Sequence, residues 1–291
     1  MTTGAPSSPI RLYATPDING KFTSTASPYT LLYTQNFESP TTPAEWAAYS
    51  GGTIQIITDT AQNYANSAGS LKAVYPIPSG GSYAVGSYDL TPYVAIGATN
   101  HVYIDFYAKM PNVKHGMKFC KIAGQKNGTE YANITFGLDY TGIDNGGMIY
   151  VGFGDGSVLT NDTDYGVWLD GTNGNVTYGH GVGRSEGLSG YSVSTPQSAR
   201  WASTNWGTGW HRFQFYVKFN SGTTAGNEVN DGQVKVIIDG VTYVNAVGLY
   251  NRHYSNLPMD VIHLFEYSQT GASSFDVWMD SLRISQNGWT R

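Results

Sequence analysis

Ten residues from Trp210 to Phe219, WHRFQFYVKF, alternate without a break between two chemistries. His211, Phe213, Phe215, Val217 and Phe219 fall on one side of an extended chain, and Trp210, Arg212, Gln214, Tyr216 and Lys218 on the other. A period of two held over that length excludes an amphipathic helix and specifies a half-buried strand. A second run, DGQVKVIIDG, repeats the pattern: Val234, Val236 and Ile238 oppose Gln233 and Lys235, and Asp239-Gly240 supplies the turn that ends it. The two runs predict long antiparallel strands sharing one apolar and one polar face. The polar face carries Arg, Gln, Tyr and Lys, side chains that hydrogen-bond to sugars and stack on them.

The same logic recurs along the chain. HVYIDFYAKM sets Val102, Ile104, Phe106 and Ala108 against His101, Tyr103, Asp105, Tyr107 and Lys109, and YANITFGLDY sets Ala132, Ile134, Phe136 and Leu138 against Tyr131, Asn133, Thr135 and Asp139. Further strands are predicted at LLYTQNFES, 53–58, 70–75, 82–88, DVIHLFEYS and FDVWMDSLRIS, with PAEWAAY (43–49) as the one short helix. Residues 141–209, with GIDNGG, GFGDGS, TNGN and GHGVGR in succession, predict short strands joined by long surface loops, where binding residues concentrate. Regular strands, turn signals and almost no helix predict an all-β, antiparallel jelly-roll β-sandwich over 31–291. Residues 1–30, with Pro6, Pro9, Pro16 and Pro28 among Ser, Thr and Gly, predict an extended N-terminal arm: a disordered tail or an anchor for a neighbouring subunit.

A formal net charge of -5 gives no general attraction for nucleic acid or an anionic membrane, and no apolar run approaches a membrane span. The single Cys120 rules out an internal disulfide framework and reads as a small core residue rather than a nucleophile. With only 13% charged residues and abundant Gly and Tyr, the surface chemistry is that of an extracellular protein, yet MTTGAPSSPIRLYATPD shows neither an apolar h-region nor a cleavage pattern. Either a leader precedes this sequence, or the protein reaches the outside by another route, such as a virus particle released by lysis.

The order NFES, AGSLKAVYP, VYIDFYAKM, GMKFCKI, WHRFQFYVKFN, DGQVKVIIDG and FDVWMDSLRIS resembles the concanavalin-A-like jelly-roll domains, and among them the polysaccharide lyases of the glucuronan, alginate and heparin type. The likeness spans about residues 31 to 285 and is a pattern of strands and turns, not a catalytic string. The same fold serves sugar-binding modules and surface domains of phage virions, so it does not choose a function. The resemblance implies a concave face bearing Tyr103, Tyr107, Tyr131, Asn133, Arg212, Gln214 and Tyr216.

Several constellations bear on chemistry. Lys109, Lys114, Lys118, Lys121 and Lys126, joined by His115, form a basic run with no acid inside it. Beside Arg212 and Lys218 it would make a positive groove for an acidic polysaccharide; on an edge strand it would only guard against aggregation. β-Elimination on a uronate needs a group that neutralises the carboxylate and a base near the C5 proton. For a lyase the candidates are Tyr216, Arg212, His115 and Asn133, with His180 as a further loop histidine. For glycan binding they are Tyr103, Tyr107, Lys118, Tyr131, Asn133, Arg212, Gln214, Tyr216 and Lys218, and Trp201 and Trp206 are candidate stacking platforms. No E-x-D-x-E string of a jelly-roll glycosidase occurs. Similarity to sugar-binding modules implies that Asp280, with Glu38 of NFES, binds a structural calcium; ordinary edge acids are the alternative. No other cofactor is required. Three functions follow: a virion structural or surface protein, such as a capsid decoration or tail-associated protein, whose arm contacts other virion subunits or a second copy; a non-catalytic carbohydrate-binding module; and a polysaccharide lyase. The first is the leading expectation, with a virion-surface location and an extracellular one as the alternative.

Overall fold

The computed structural model describes residues 13–16, 22–25, 30–38, 55–65, 67–75, 86–89, 101–110, 117–126, 129–139, 148–155, 165–169, 176–180, 192–193, 209–221, 229, 231–249, 261–268 and 275–289. The expected helix at 43–49, Lys114, His115, Trp201 and Trp206 lie outside them. All regular structure among the described residues is strand. The strands are β1 (Tyr13–Pro16), β2 (Phe22–Thr25), β3 (Thr30–Gln35), β4 (Gln55–Asp59), β5 (Ser70–Tyr75), β6 (Gly86–Asp89), β7 (His101–Lys109), β8 (Met117–Lys126), β9 (Thr129–Asp139), β10 (Met148–Asp155), β11 (Tyr165–Leu169) and β12 (Val176–His180). They continue as β13 (Ser192–Val193), β14 (His211–Lys218), β15 (Gly232–Ile238), β16 (Val241–Leu249), β17 (Val261–Ser268) and β18 (Phe275–Gln286).

A nine-stranded sheet runs β13-β16-β15-β14-β7-β18-β5-β4, with β3 also paired to β18, and a seven-stranded sheet runs β12-β11-β10-β9-β8-β17-β6. Every pairing is antiparallel. Within residues 1–30, β1 and β2 pair as a separate two-stranded unit.

The alternation that predicted the strands also builds the core. Phe213, Phe215, Val217, Val234, Val236 and Ile238 are all buried, as are Val102, Ile104, Phe106 and Ala108. The seven-stranded sheet answers with Cys120, Ile122, Ile134, Phe136, Val151, Ile262 and Leu264 in the same core cluster. Phe136 of β9 stacks on Phe215 of β14 with ring centroids 4.6 Å apart, so the two sheets meet face to face through aromatic rings. Truncating a ring at this depth, as in Phe215→Ala, costs about 3–5 kcal/mol.

Two turns set the frame of the nine-stranded sheet. Asp239 (φ 51) and Gly240 (φ 80) both take left-handed conformations and join β15 to β16 in the two-residue geometry that the Asp-Gly pair predicts. The turn is tied to β14, because Arg212 N donates to Asp239 Oδ1 at 2.8 Å and Asp239 N donates to Arg212 O at 3.0 Å. In β18 a bulge between Asp280 and Arg283, with Ser281 at φ 53, marks where the strand changes partners. Residues 275–279 pair with β5 and residues 282–286 with β3, while the other edge follows β7.

Candidate saccharide-recognition faces

The sandwich has two outward faces, and the candidate residues divide between them. Tyr103, Tyr107, Arg212, Gln214, Tyr216 and Lys218 lie on β7 and β14 of the nine-stranded sheet. Lys118, Tyr131 and Asn133 lie on β8 and β9 of the seven-stranded sheet. The two groups therefore cannot line one hollow, and the basic run of β8 does not lie beside Arg212 and Lys218, since the core separates the two outer faces. This corrects the single concave face read from the sequence.

On the nine-stranded sheet the outward polar groups are largely engaged with one another. Arg212 Nε donates to Asp105 Oδ1 at 2.9 Å, Arg212 Nη2 pairs with Asp105 Oδ2, and Gln214 Nε2 reaches the same carboxylate at 3.4 Å. Lys218 Nζ is 3.1 Å from Asp231 Oδ2 and also donates to the Asp231 carbonyl. Tyr216, almost wholly buried, lies 2.9 Å from His101 Nδ1 and is hydrogen-bonded to Tyr103. Burial, reinforced by Tyr103, pushes the Tyr216 phenol well above its ordinary range. Burial and a hydrogen bond with Tyr64, whose ring is stacked 3.6 Å away, push Tyr107 up to about 12. A phenol so reluctant to ionise is a poor base, and a guanidinium gripped by Asp105 has little left for a substrate carboxylate. Tyr216 and Arg212 are thus held in a structural knot of side chains on this face.

The seven-stranded sheet is built differently. Directly opposed residues in an antiparallel sheet project to the same side, so register alone defines transverse rows. One row crosses all seven strands: Gly179 on β12, Gly166 on β11, Gly152 on β10, Thr135 on β9, Lys121 on β8, His263 on β17 and Ser87 on β6. It faces away from the core, because its neighbours Val151, Phe136, Cys120 and Leu264 belong to the core cluster. Three successive glycines leave three of the seven positions in this row without side chains. At a strand spacing of about 4.8 Å the row spans roughly 29 Å across the sheet. Beyond the glycines come Thr135, Lys121 and His263, which are 4%, 5% and 3% exposed. A lysine and a histidine this enclosed on the outer side of a sheet are unusual for their types. The row on one side holds the positions of Thr177, Trp168, Tyr150, Gly137, Lys118 and Tyr267; the row on the other holds Gly154, Asn133, Ala123, Val261 and Asp89.

His263 and the glycines were absent from the sequence candidates. A signal for His263 existed: it stands between Ile262 and Leu264, so alternation already sends it outward, as it does Lys121 between Cys120 and Ile122. His180 ends β12, one residue beyond Gly179 of the row.

Asp280 is fully buried where β3, β5 and β18 meet. Its carboxylate accepts from Tyr64 N (3.0 Å), Ser281 N (2.6 Å) and Ser67 Oγ, while Glu38 accepts from Ala68 N at 3.0 Å. Burial pushes the Asp280 carboxyl above its ordinary range; these donors pull it back, and the Glu38 charge adds to the rise. Two acids drawn to one loop, with the Glu38 charge opposing ionisation of Asp280, match the charge demand of a divalent cation with oxygen ligands. Among the described residues no third His, Cys, Asp or Glu joins them, so carbonyls and water would complete a shell.

No family model and no curated protein matches the chain. Among solved structures it is similar to the endo-beta-1,4-glucuronan lyase from the fungus Trichoderma reesei, with a TM-score of 0.51 and 11% identity over 88% of this chain and 96% of that one. The fold is a concanavalin-A-like jelly roll. The jelly roll is also similar to cellulose induced protein Cip1, with a TM-score of 0.47 and 14% identity over 87% of this chain and 96% of that one. A further match is the CBM2 module of Lactobacillus casei BL23 phage J-1 evolved Dit, with a TM-score of 0.37 and 12% identity over 90% and 98%. At such identities the likeness concerns fold, and function has to be argued from the residues of this jelly roll.

Proposed function

We propose that this jelly roll binds an acidic polysaccharide in a trough running along the glycine row of its seven-stranded sheet. The observation that carries the reading is the transverse row of three glycines leading to Thr135, Lys121 and His263. A side-chain-free floor admits an extended chain across the strands, and an enclosed ammonium group selects for carboxylate or sulfate. Lys118 in the adjoining row adds a second cation, and Tyr131 and Asn133 lie on the neighbouring β9. The test is titration calorimetry with polyuronates and neutral glucans on the wild type and Lys121→Met. A polyuronate site present in the wild type and missing from Lys121→Met, whatever other site remains, supports the reading; equal binding of both polymers by both proteins overturns it.

The setting we propose is a virion surface or another extracellular surface. The low charge and the Gly- and Tyr-rich composition support it, and the arm of residues 1–30 is the assigned assembly element, contacting virion subunits or a second copy. Deleting residues 1–30 is expected to abolish incorporation into particles or oligomers while leaving the sandwich folded; unimpaired assembly would refute this. A second reading, lyase activity, is favoured by one observation, the registry of His263 beside Lys121. Ultraviolet absorbance of an unsaturated uronate product, lost on His263→Gln, would establish it, and a flat trace would leave binding alone. We also assign Glu38 and Asp280 as ligands of a structural calcium that ties β3, the loop at 64–68 and β18 together.

A further inference from the structure

The nine-stranded sheet carries a feature that its fold does not require. After β18 the chain doubles back through Asn287 (φ 63) and Gly288 (φ 155), and Ser285 Oγ donates to Gly288 O at 2.9 Å. The reversal lays Trp289 against Tyr103 on the outer side of the sheet, with ring centroids 4.9 Å apart and planes at 79°. Both rings are partly exposed. An indole held there adds nothing to the core between the sheets, and a fixed aromatic pair is the surface on which the C–H face of a pyranose packs.

Arg283 lies beside them. It projects outward from β18, in register with Asp105 of β7 on one side and Thr34 of β3 on the other. Asp105 does not serve it, because that carboxylate is turned to Arg212 and Gln214 across β7. Among the described residues the Arg283 side chain makes no hydrogen bond or ion pair, although it is only partly exposed. Its fork of N–H donors suits a carboxylate held in two parallel bonds.

We propose that Trp289, Tyr103 and Arg283 form a second saccharide site, specific for a carboxylated pyranose and separate from the trough on the opposite face. The ring stacks on the Trp289–Tyr103 pair and its carboxylate meets Arg283. Ser285, opposite Tyr103 in the register, closes the patch with a hydroxyl already committed to the C-terminal turn. Two sites on opposite faces make one chain bivalent, so a long polymer is cross-linked where a short oligosaccharide is only bound.

The experiment is calorimetric titration of the full chain with a short glucuronic acid oligosaccharide. Wild type, Lys121→Met, Arg283→Met, Arg283→Lys and Trp289→Ala are compared, with melting temperatures recorded for each. The expected result is a site that survives in Lys121→Met and weakens about ten- to a hundredfold in Arg283→Met and Trp289→Ala at unchanged melting temperature. Arg283→Lys, which keeps the charge and loses the fork, is expected to recover part of the affinity. Unaltered binding in Arg283→Met and Trp289→Ala, or no binding to Lys121→Met, overturns the proposal; the first of these outcomes leaves the trough reading intact.

Discussion

Replacing Asp105 with asparagine separates a structural role for the nine-stranded face from a ligand-binding one. Asp105 is 3% exposed and takes two bonds from Arg212 and a longer one from Gln214, while the Arg212 side chain is 33% exposed. Breaking a wholly buried ion pair costs about 3–5 kcal/mol, and an exposed pair is worth about 0–1 kcal/mol. Here the carboxylate is enclosed but the guanidinium can recover water, so a loss of about 2 kcal/mol is expected, within the range for hydrogen bonds to a charged group. For a domain of this size that corresponds to about 4–8 °C in melting temperature. Denaturant unfolding of Asp105→Asn, Arg212→Gln and the double variant gives the coupling directly, and a value above about 1 kcal/mol is expected. Coupling within about 0.5 kcal/mol of zero would refute the knot. Arg212→Gln is further expected to leave polyuronate affinity in the trough unchanged, because the core lies between them.

Other outcomes follow from the same geometry. Gly152→Leu places a branched side chain in the glycine row and is expected to remove the Lys121-dependent polyuronate site in a protein that still melts cooperatively, leaving the Trp289–Arg283 site; an unchanged number of sites would show that the ligand runs elsewhere. Removing calcium with a chelator is expected to lower the melting temperature, since a bound cation stabilises only the folded state, and an unchanged midpoint would dismiss the assignment of Glu38 and Asp280. Gly69→Ala brings a Cβ to 3.0 Å from Phe37 O and 3.1 Å from Thr58 Cγ2, a crowding expected to cost about 1–3 kcal/mol in unfolding experiments. Burial, aided by Lys218, holds His101 below its ordinary value of 6.5. The unfolded chain then binds more protons than the folded one between the two values. The stability this group contributes is present above 6.5 and declines as pH falls toward the folded value. His101→Gln is expected to flatten that part of the stability-pH curve, which thermal melts across the range would show.

Strands and core were legible because alternation is a local property. The rows Phe213–Phe215–Val217 and Val102–Ile104–Phe106 are buried where a period of two puts them, Cys120 is a core residue, and the Asp239-Gly240 turn has the conformation its residues favour. The site was less legible, because alternation says which side of a strand a residue takes and not which sheet the strand joins. Tyr103 and Asn133 carry the same outward signature, yet β7 pairs with β14 and β18, while β9 pairs with β8 and β10. The trough escaped for a related reason. Gly152, Gly166 and Gly179 sit in a segment whose glycines read as loop punctuation, and only their registration against one another places three apparent breakers in one transverse row.

The position of β18 has a consequence for how the molecule is made. Among the described residues it is the final strand, and of the described strands it is the one that joins β3 and the β4–β5 pair to β7 and the rest of the nine-stranded sheet. During synthesis those early strands must wait, unpaired on that side, until some two hundred later residues have left the ribosome. Closure therefore waits on a pairing of very large sequence separation with a high entropic barrier, and chains shorn of β18 become clients of chaperones and proteases.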